Sequence, residues 1–461
     1  MSKKGSSSQL RISEIARKRL ILAATSCLLG LVLLDETAIG VVLPTVQREF
    51  GFSETRSHWF INAYLLSLAC FVAVSGKLAD MYGILRVFLL GLSVFAFSSL
   101  LVAVSSSGDV AIVGRALQGL GAAICFPLFV AIITITFPKA QTGAMLGVCA
   151  TVGTVFMAAG PFVGGLVTEY FSWRGIFLIN PPILLVVGLI AKFNFRDLQR
   201  PEPAAIDWFG FILLCCGLFS LVFALMQASE MGWNNPTIML LLGVSGILFV
   251  SLIVVEKRVR HPFILVSLFR NGVFSGGNLT MFAAQFAKVP LFVFTALYAQ
   301  SVLGLDPLAA GSIVMLAVVL QPFAAPICGR LTDRMPAKSL VCFGYLCLIL
   351  ALVFLCLATL SQSFIALIPG LLLSGVAFPF LFIPSQTALM AQLPENLHGQ
   401  GGGISISSQM IGGTLGLSIS SAIFSGANSY QYVFVAVAVS VAIAFGFSLF
   451  GFQPVRSRAK L

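Results

Sequence analysis

Four ionisable side chains, Asp35, Glu36, Arg115 and Lys288, stand inside runs of sequence that are otherwise apolar. The first of these runs starts at about Leu20, after Arg17-Lys18-Arg19, and continues to Pro44. At the helical rise, Asp35 falls roughly 22 Å beyond Leu20, inside a layer of hydrocarbon about 30 Å thick. A carboxylate at that depth costs several kcal/mol unless it faces protein or water, or takes up a proton. The chemistry open to Asp35 is therefore reversible protonation or ion pairing, and the sequence places it against a central cavity. Glu36 points about 100° away on the same helix and lines an outer vestibule or contacts neighbouring protein. Arg115 lies roughly 9 Å into the fourth apolar run; a guanidinium keeps its charge, so it must pair or meet water. Lys288, about 24 Å into the ninth run, has nearly the depth of Asp35. It is expected to pair with Asp35 or Glu36 across the cavity, the alternative being a lysine that snorkels outward.

The elements that must carry these groups follow from composition. Of 461 residues, 58% are hydrophobic and 9% charged, with a mean hydropathy of +1.02. No soluble domain buries that much apolar surface, so the fold class is an all-α polytopic membrane protein. Apolar segments at about 20–44, 57–79, 85–105, 109–134, 141–168 and 174–193 form one six-helix bundle (20–193). A pair at about 207–227 and 236–256 sits in a linker region (194–271) rich in Arg and Lys. Six more, at about 272–300, 308–330, 338–360, 363–391, 398–424 and 430–452, form a second bundle (272–452). The count is 14 transmembrane helices, arranged 6 + 2 + 6. A basic tail (1–19), expected to be disordered, precedes them, and a short tail (453–461) follows.

The 27 Lys and Arg residues test this count. Arg48, Arg56 and Arg174 fall on one side of the bilayer, and Arg115 and Lys288 fall within spans. All the others lie on the side of the two termini, which puts both termini in the cytoplasm. The net charge of +11 is thus a topology signal, and no nucleic-acid partner is expected. Ten cysteines within spans read as small core hydrophobes. His58, His261 and His398 lie in three separate loops or loop edges, so no metal is expected. No nucleophile–base set and no phosphate- or dinucleotide-binding glycine loop is present. An enzyme is disfavoured, and no cofactor is implied.

Five stretches carry a resemblance to a known family. They are Leu34 to Pro44, in which Asp35, Thr37 and Pro44 match; the loop Gly76-Lys77-Leu78-Ala79-Asp80-Met81-Tyr82-Gly83; Arg115 to Ala123; Gly153 through Gly160, Pro161, Gly164 and Gly165; and Ser172-Trp173-Arg174-Gly175-Ile176-Phe177-Leu178-Ile179-Asn180. Together they resemble the fourteen-span drug:proton antiporter branch of the major facilitator superfamily. Departures are Gly40 and Val42, where that branch usually has Asn and Ala, and Met81, Ile84 and Leu85, which leave Arg86 as the one base after Asp80. In the second half, Gly329 to Arg334, with Asp333, echoes the loop at Gly76 to Gly83, as in carriers built from repeats.

The resemblance implies the major facilitator fold and a proton-coupled exporter of small amphipathic compounds in the bacterial inner membrane, working by alternating access and as a monomer. Asp35 and Arg115 would couple protons, and Glu36 and Lys288 would line the substrate cavity. Gly76, Asp80, Gly83, Arg86 and Asp333 would latch the cytoplasmic side. Gly153, Gly160, Gly164 and Gly165, with Pro161 kinking the helix, would form a stiff, leak-proof contact between the halves that favours exchange over uniport, ordinary small-residue helix packing being the alternative. Two acids against two bases in the chamber leave zwitterionic or anionic substrates open. A dedicated exporter of one metabolite, siderophore or amino-acid-like compound is the alternative. A sensor or channel-like protein uncoupled from protons is a third.

Overall fold

The computed structural model describes residues 3–195, 207–259, 265–393 and 397–452. The link carrying Arg196 and Arg200, the stretch with Arg260 and His261, and the tail 453–461 lie outside the described residues. The first seven helices are α1 (Lys3–Phe50), α2 (Glu54–Tyr82), α3 (Ile84–Ala103), α4 (Gly108–Cys125), α5 (Leu128–Thr136), α6 (Lys139–Tyr170) and α7 (Arg174–Asn194). The pair α8 (Trp208–Met231) and α9 (Pro236–Glu256) follows. Then come α10 (Gly272–Ser301), α11 (Pro307–Val319), α12 (Gln321–Thr332), α13 (Ala337–Ser361), α14 (Phe364–Met390), α15 (His398–Ala427) and α16 (Tyr430–Gly451). Among the described residues, thirteen spans, with α4–α5 and α11–α12 each forming one, are long and apolar enough to cross a bilayer; α2, bent by 54°, brings the total to 14.

Local chemistry explains where the helices start. Asp207 accepts from the Gly210 amide at the head of α8, and Asn235 from Thr237 at the head of α9, where Pro236 supplies a helical φ. Asn271 accepts from Val273 and Phe274 at the head of α10. Three features differ from the sequence reading. The basic tail is helical, because α1 already begins at Lys3. The stretch 76–82 is the last part of α2 rather than a loop, and the turn into α3 contracts to Gly83, whose φ of 87° suits glycine. The fourth and tenth spans are each broken, the first at Phe126-Pro127 and the second at Leu320.

The chain divides into two compact units. The first comprises residues 1–52, 59–206 and 306–311; the second comprises 53–58, 207–305 and 312–461. α8 and α9 therefore cluster with the C-terminal helices.

In the first unit, α1 and α6 pack along a seam of small residues. A Cβ on Gly160 would fall on Thr37 Oγ1 and within 2.9 Å of the Leu34 carbonyl, and one on Gly164 would come within 3.0 Å of the Ala38 carbonyl. A Cβ on Gly153 would crowd Leu33 and Leu29 at 3.0 and 3.1 Å. The Thr37 hydroxyl donates across this seam to the Met157 carbonyl at 2.9 Å. The far side of α6 meets residues 307–311: a Cβ on Gly165 would collide with the Pro307 carbonyl, and one on Gly311 with that of Pro161. The C-terminal end of α1 is clamped through Glu49. Its carboxylate accepts from Trp173 Nε1 at 2.6 Å and pairs with Arg174 at 2.6 Å, while Arg174 also donates to the Ser105 carbonyl.

Gly160→Ala should therefore destabilise the protein by about 1–3 kcal/mol through overpacking, read as a lowered thermal unfolding midpoint in detergent. Gly76 has open space around its missing Cβ, so Gly76→Ala should be neutral or stabilising by up to about 1 kcal/mol.

Candidate proton-coupling site

Asp35 projects from the middle of α1 and is 1% exposed. Arg115, two turns into α4, is fully buried. Arg115 Nη1 donates to Asp35 Oδ2 at 2.6 Å and to Gln118 Oε1 at 2.6 Å. The other carboxylate oxygen, Asp35 Oδ1, accepts from Gln118 Nε2 at 3.2 Å. Arg115, Gln118 and Asp35 thus form a closed triangle in which acid and base cancel.

The triangle is tied to the helices around it. Gln118 Nε2 donates to Ser99 Oγ on α3 at 2.9 Å, and Ser99 Oγ also accepts from Asn180 Nδ2 on α7 at 3.3 Å. Arg115 Nε donates to the Phe60 carbonyl on α2 at 3.2 Å. The guanidinium lies 4.4 Å from the centre of the Tyr64 ring, with Phe177 and Phe60 at 5.6 and 5.7 Å. These ring faces supply a weak counter-field to a cation held away from water. Arg115 Nη2 and Tyr64 Oη have no hydrogen-bond partner among the described residues.

Local sequence explains the assembly. Arg115 and Gln118 are three residues apart and so share one face of α4. Gly119, next to them, lets α4 approach α2 so closely that a Cβ there would strike the Tyr64 carbonyl. Asp35 lies between Leu34 and Thr37, the residues on which Gly160 rests, so the α1–α6 seam fixes the acid's position.

The remaining sequence-singled residues divide between the units. Glu36 is half-buried, in keeping with its different direction on α1. Gly76, Asp80 and Arg86 are exposed, Gly83 is buried at the turn, and Asp333 is exposed where α12 ends. In the second unit, Lys288 is 5% exposed in the middle of α10, its ammonium 5.8 Å from the centre of the Phe292 ring. Two expectations are modified. Asp35, expected to face a cavity, is enclosed by protein, because Arg115 and Gln118 occupy both of its oxygens. That engagement also makes Arg115 the ion partner of Asp35 in this structure, where sequence reasoning offered Asp35 or Glu36 as the partner of Lys288. Gln118, Ser99 and Asn180 were missed as site residues. Gln118 and Asn180 stand within the quoted motifs, and the spacing of Gln118 from Arg115 is the signal that could have found it.

The family model for the Major Facilitator Superfamily matches residues 25–417 and, again, 277–460. The puromycin resistance protein of Streptomyces alboniger is 29% identical over 404 residues, covering 87% of this chain and 80% of that protein. The tetracenomycin C resistance and export protein of Streptomyces glaucescens is 28% identical over 394 residues, covering 84% and 72%. The crystal structure of an auto-inhibited POT family peptide transporter superposes with a TM-score of 0.68 at 14% identity, covering 97% of this chain and 99% of that one. That last likeness is one of fold.

A buried ion pair is far more sensitive to loss of one partner than to loss of both. Asp35→Asn or Arg115→Met alone should each cost about 3–5 kcal/mol by stranding the remaining charge. The double variant should lose clearly less than the sum, measured as a thermal double-mutant cycle in detergent.

Proposed function

The chain belongs to the Major Facilitator Superfamily, and we propose that it is a proton-coupled antiporter exporting small amphipathic compounds or drugs across the bacterial inner membrane. The observation that carries this reading is the buried triangle of Asp35, Arg115 and Gln118. Its one carboxylate balances its one guanidinium, so a proton on Asp35 leaves Arg115 without a counter-charge in a region that cannot solvate it. The network then loses its reason to stay closed. Because it reaches α2, α3 and α7 through Phe60, Ser99 and Asn180, protonation is felt by several helices at once. The direction of export is supported by the resistance and export proteins among the relatives.

In this reading Asp35 takes its proton in a conformation where the triangle is open, and substrate leaves as it does so. Loss of the proton toward the cytoplasm lets Arg115 and Gln118 recapture the carboxylate, which resets the carrier. The glycines of α6, with Gly153, Gly160 and Gly164 against α1 and Gly165 against Pro307, keep α1 and α6 moving as one body. Asp80, Gly83, Arg86 and Asp333 act at the cytoplasmic side, where both termini lie. Glu36 and Lys288 face the substrate. The working division is an N-terminal bundle (20–193), a linker with two added spans (194–271) and a C-terminal bundle (272–452), acting as a monomer.

Inverted membrane vesicles with an imposed proton gradient test the cycle, with ethidium, puromycin and fluorescein as cationic, aminonucleoside and anionic probes. Wild-type protein should release protons in response to at least one probe, and Asp35→Asn should abolish the response. A probe that is transported by wild type with no accompanying proton movement would sink the antiport mechanism. Asp80→Asn should slow turnover severalfold while leaving the unfolding midpoint unchanged; unaltered turnover would remove its latch role.

A further inference from the structure

A guanidinium offers N–H donors at Nε, Nη1 and Nη2, and Arg115 spends only the first two positions in this structure. Nη1 donates to Asp35 Oδ2 and to Gln118 Oε1, and Nε donates to the Phe60 carbonyl. Nη2, buried with the rest of the side chain, has no hydrogen-bond partner among the described residues. Two acceptors around the same site share that condition: Tyr64 Oη on α2 and Asn180 Oδ1 on α7. Both residues are 1% exposed. A donor nitrogen with two hydrogens thus stands among two unmet acceptors, and each buried group costs free energy while it stays unmet.

Both acceptors belong to residues that already enclose the triangle. The Tyr64 ring centre lies 4.4 Å from the guanidinium carbon. Asn180 shares the Ser99 hydroxyl with Gln118. Phe177, three residues before Asn180 and so on the same face of α7, has its ring 5.6 Å from the guanidinium. The helices cannot close the remaining gaps by moving together, because Gly119 on α4 already rests on the Tyr64 carbonyl. The Arg115 side chain can close them, but only by giving up Asp35, since its planar fork turns as a whole.

We propose that Tyr64 and Asn180 are positioning residues for the coupling step: once Asp35 takes up a proton, Nη2 of the released Arg115 donates to Tyr64 Oη and Asn180 Oδ1, and these two bonds hold the guanidinium until the proton leaves. This rests on the proton-coupled reading above and adds the arrangement that follows protonation. The proton stays on the Asp35 carboxyl, and Arg115 keeps its charge throughout. Two neutral oxygens replace part of what the carboxylate supplied, while the Tyr64 ring goes on facing the cation. The pair therefore favours the protonated form of Asp35 and raises the pH at which it loads. Glu36, beside Asp35 on α1, is the other charge that reaches Tyr64. From α3, α6 and α7 the site receives Ser99, the Met157 carbonyl and Asn180, none of which titrates.

The test is a double-mutant cycle on thermal unfolding of the full chain in detergent, with Asp35→Asn standing for the protonated acid. In wild type, Tyr64→Phe removes a hydroxyl that has no partner, so the unfolding midpoint should stay level or rise. In the Asp35→Asn chain the same change should lower the midpoint by about 2 °C or more, and Asn180→Leu should cost more there than in wild type. An equal effect of Tyr64→Phe in both backgrounds would overturn the proposal. Should Asp35→Asn fail to fold, the comparison moves to chains that keep Asp35. Tyr64→Phe should then match wild type at about pH 8 and fall below it at about pH 5; parallel curves would overturn the proposal equally. In vesicles, folded Tyr64→Phe should need about tenfold more protons for half-maximal exchange, a profile moved about one pH unit down, and an unmoved profile counts against the pair. The unfolding cycle involves no transport, so a failure of proton coupling would leave its outcome standing, and the reverse also holds.

Discussion

An ion pair buried at membrane depth must be neutral as a whole, and the first unit is arranged around keeping Asp35 and Arg115 so. Asp35 and Arg115 are enclosed by protein, and each charge taken singly would cost several kcal/mol. The structure meets this with a short contact at 2.6 Å, a glutamine that serves both partners, and three aromatic faces around the guanidinium. Arginine fits this position better than lysine would, since its planar fork reaches Asp35, Gln118 and the Phe60 carbonyl together and does not give up its proton. In the proposed antiport cycle the same features make the pair a sensitive trigger, because one added proton unbalances everything that the neighbouring helices hold in common.

A trigger is useful only if the helix that carries it is stiff, and glycine supplies that stiffness in both units. On α6, Gly160 sits against α1 at Leu34 and Thr37, which flank Asp35, and Gly164 against Ala38 just beyond; on α15, Gly412 and Gly416 sit against the backbone of α10 just before Lys288. In each case the spacing is four residues, one helical turn, and the neighbour is a carbonyl or a short side chain. Without an apolar driving force between helices in lipid, backbone contact of this kind is the available source of tight packing. The two units thus use one device to hold two opposite charges.

Much of this was legible in the sequence, and the parts that were not have physical reasons. Span number, the acid in α1 and the glycine face of α6 follow from hydropathy and spacing, which are local properties. The partner of Asp35 is a tertiary fact: four ionisable groups allow several pairings, and depth alone favoured Lys288. The polar links at Ser99 and Asn180 were hidden because single serines and asparagines in a span read as tolerated packing residues. The stretch from Gly76 to Gly83 read as a loop because its charges interrupt the apolar run. Lys77 and Asp80 are compatible with the end of a helix, however, and only Gly83 needs a conformation that other residues resist.

The added pair of helices is more than a tether between bundles. α8 packs against α15, the helix whose glycines hold α10 in place. At its far end Glu230 accepts a hydrogen bond from Ser53 at 2.7 Å, just ahead of α2, and residues 53–58 belong to the same unit as α8. The His58 ring lies 5.4 Å from Phe294 on α10, so the start of α2 is held by α8 and α10 together. A change in the tilt of α10 would then be shared with α15, α8 and residues 53–58 of the same unit. The extra spans thus enlarge the body that packs with α10, which a flexible linker of equal length could not do.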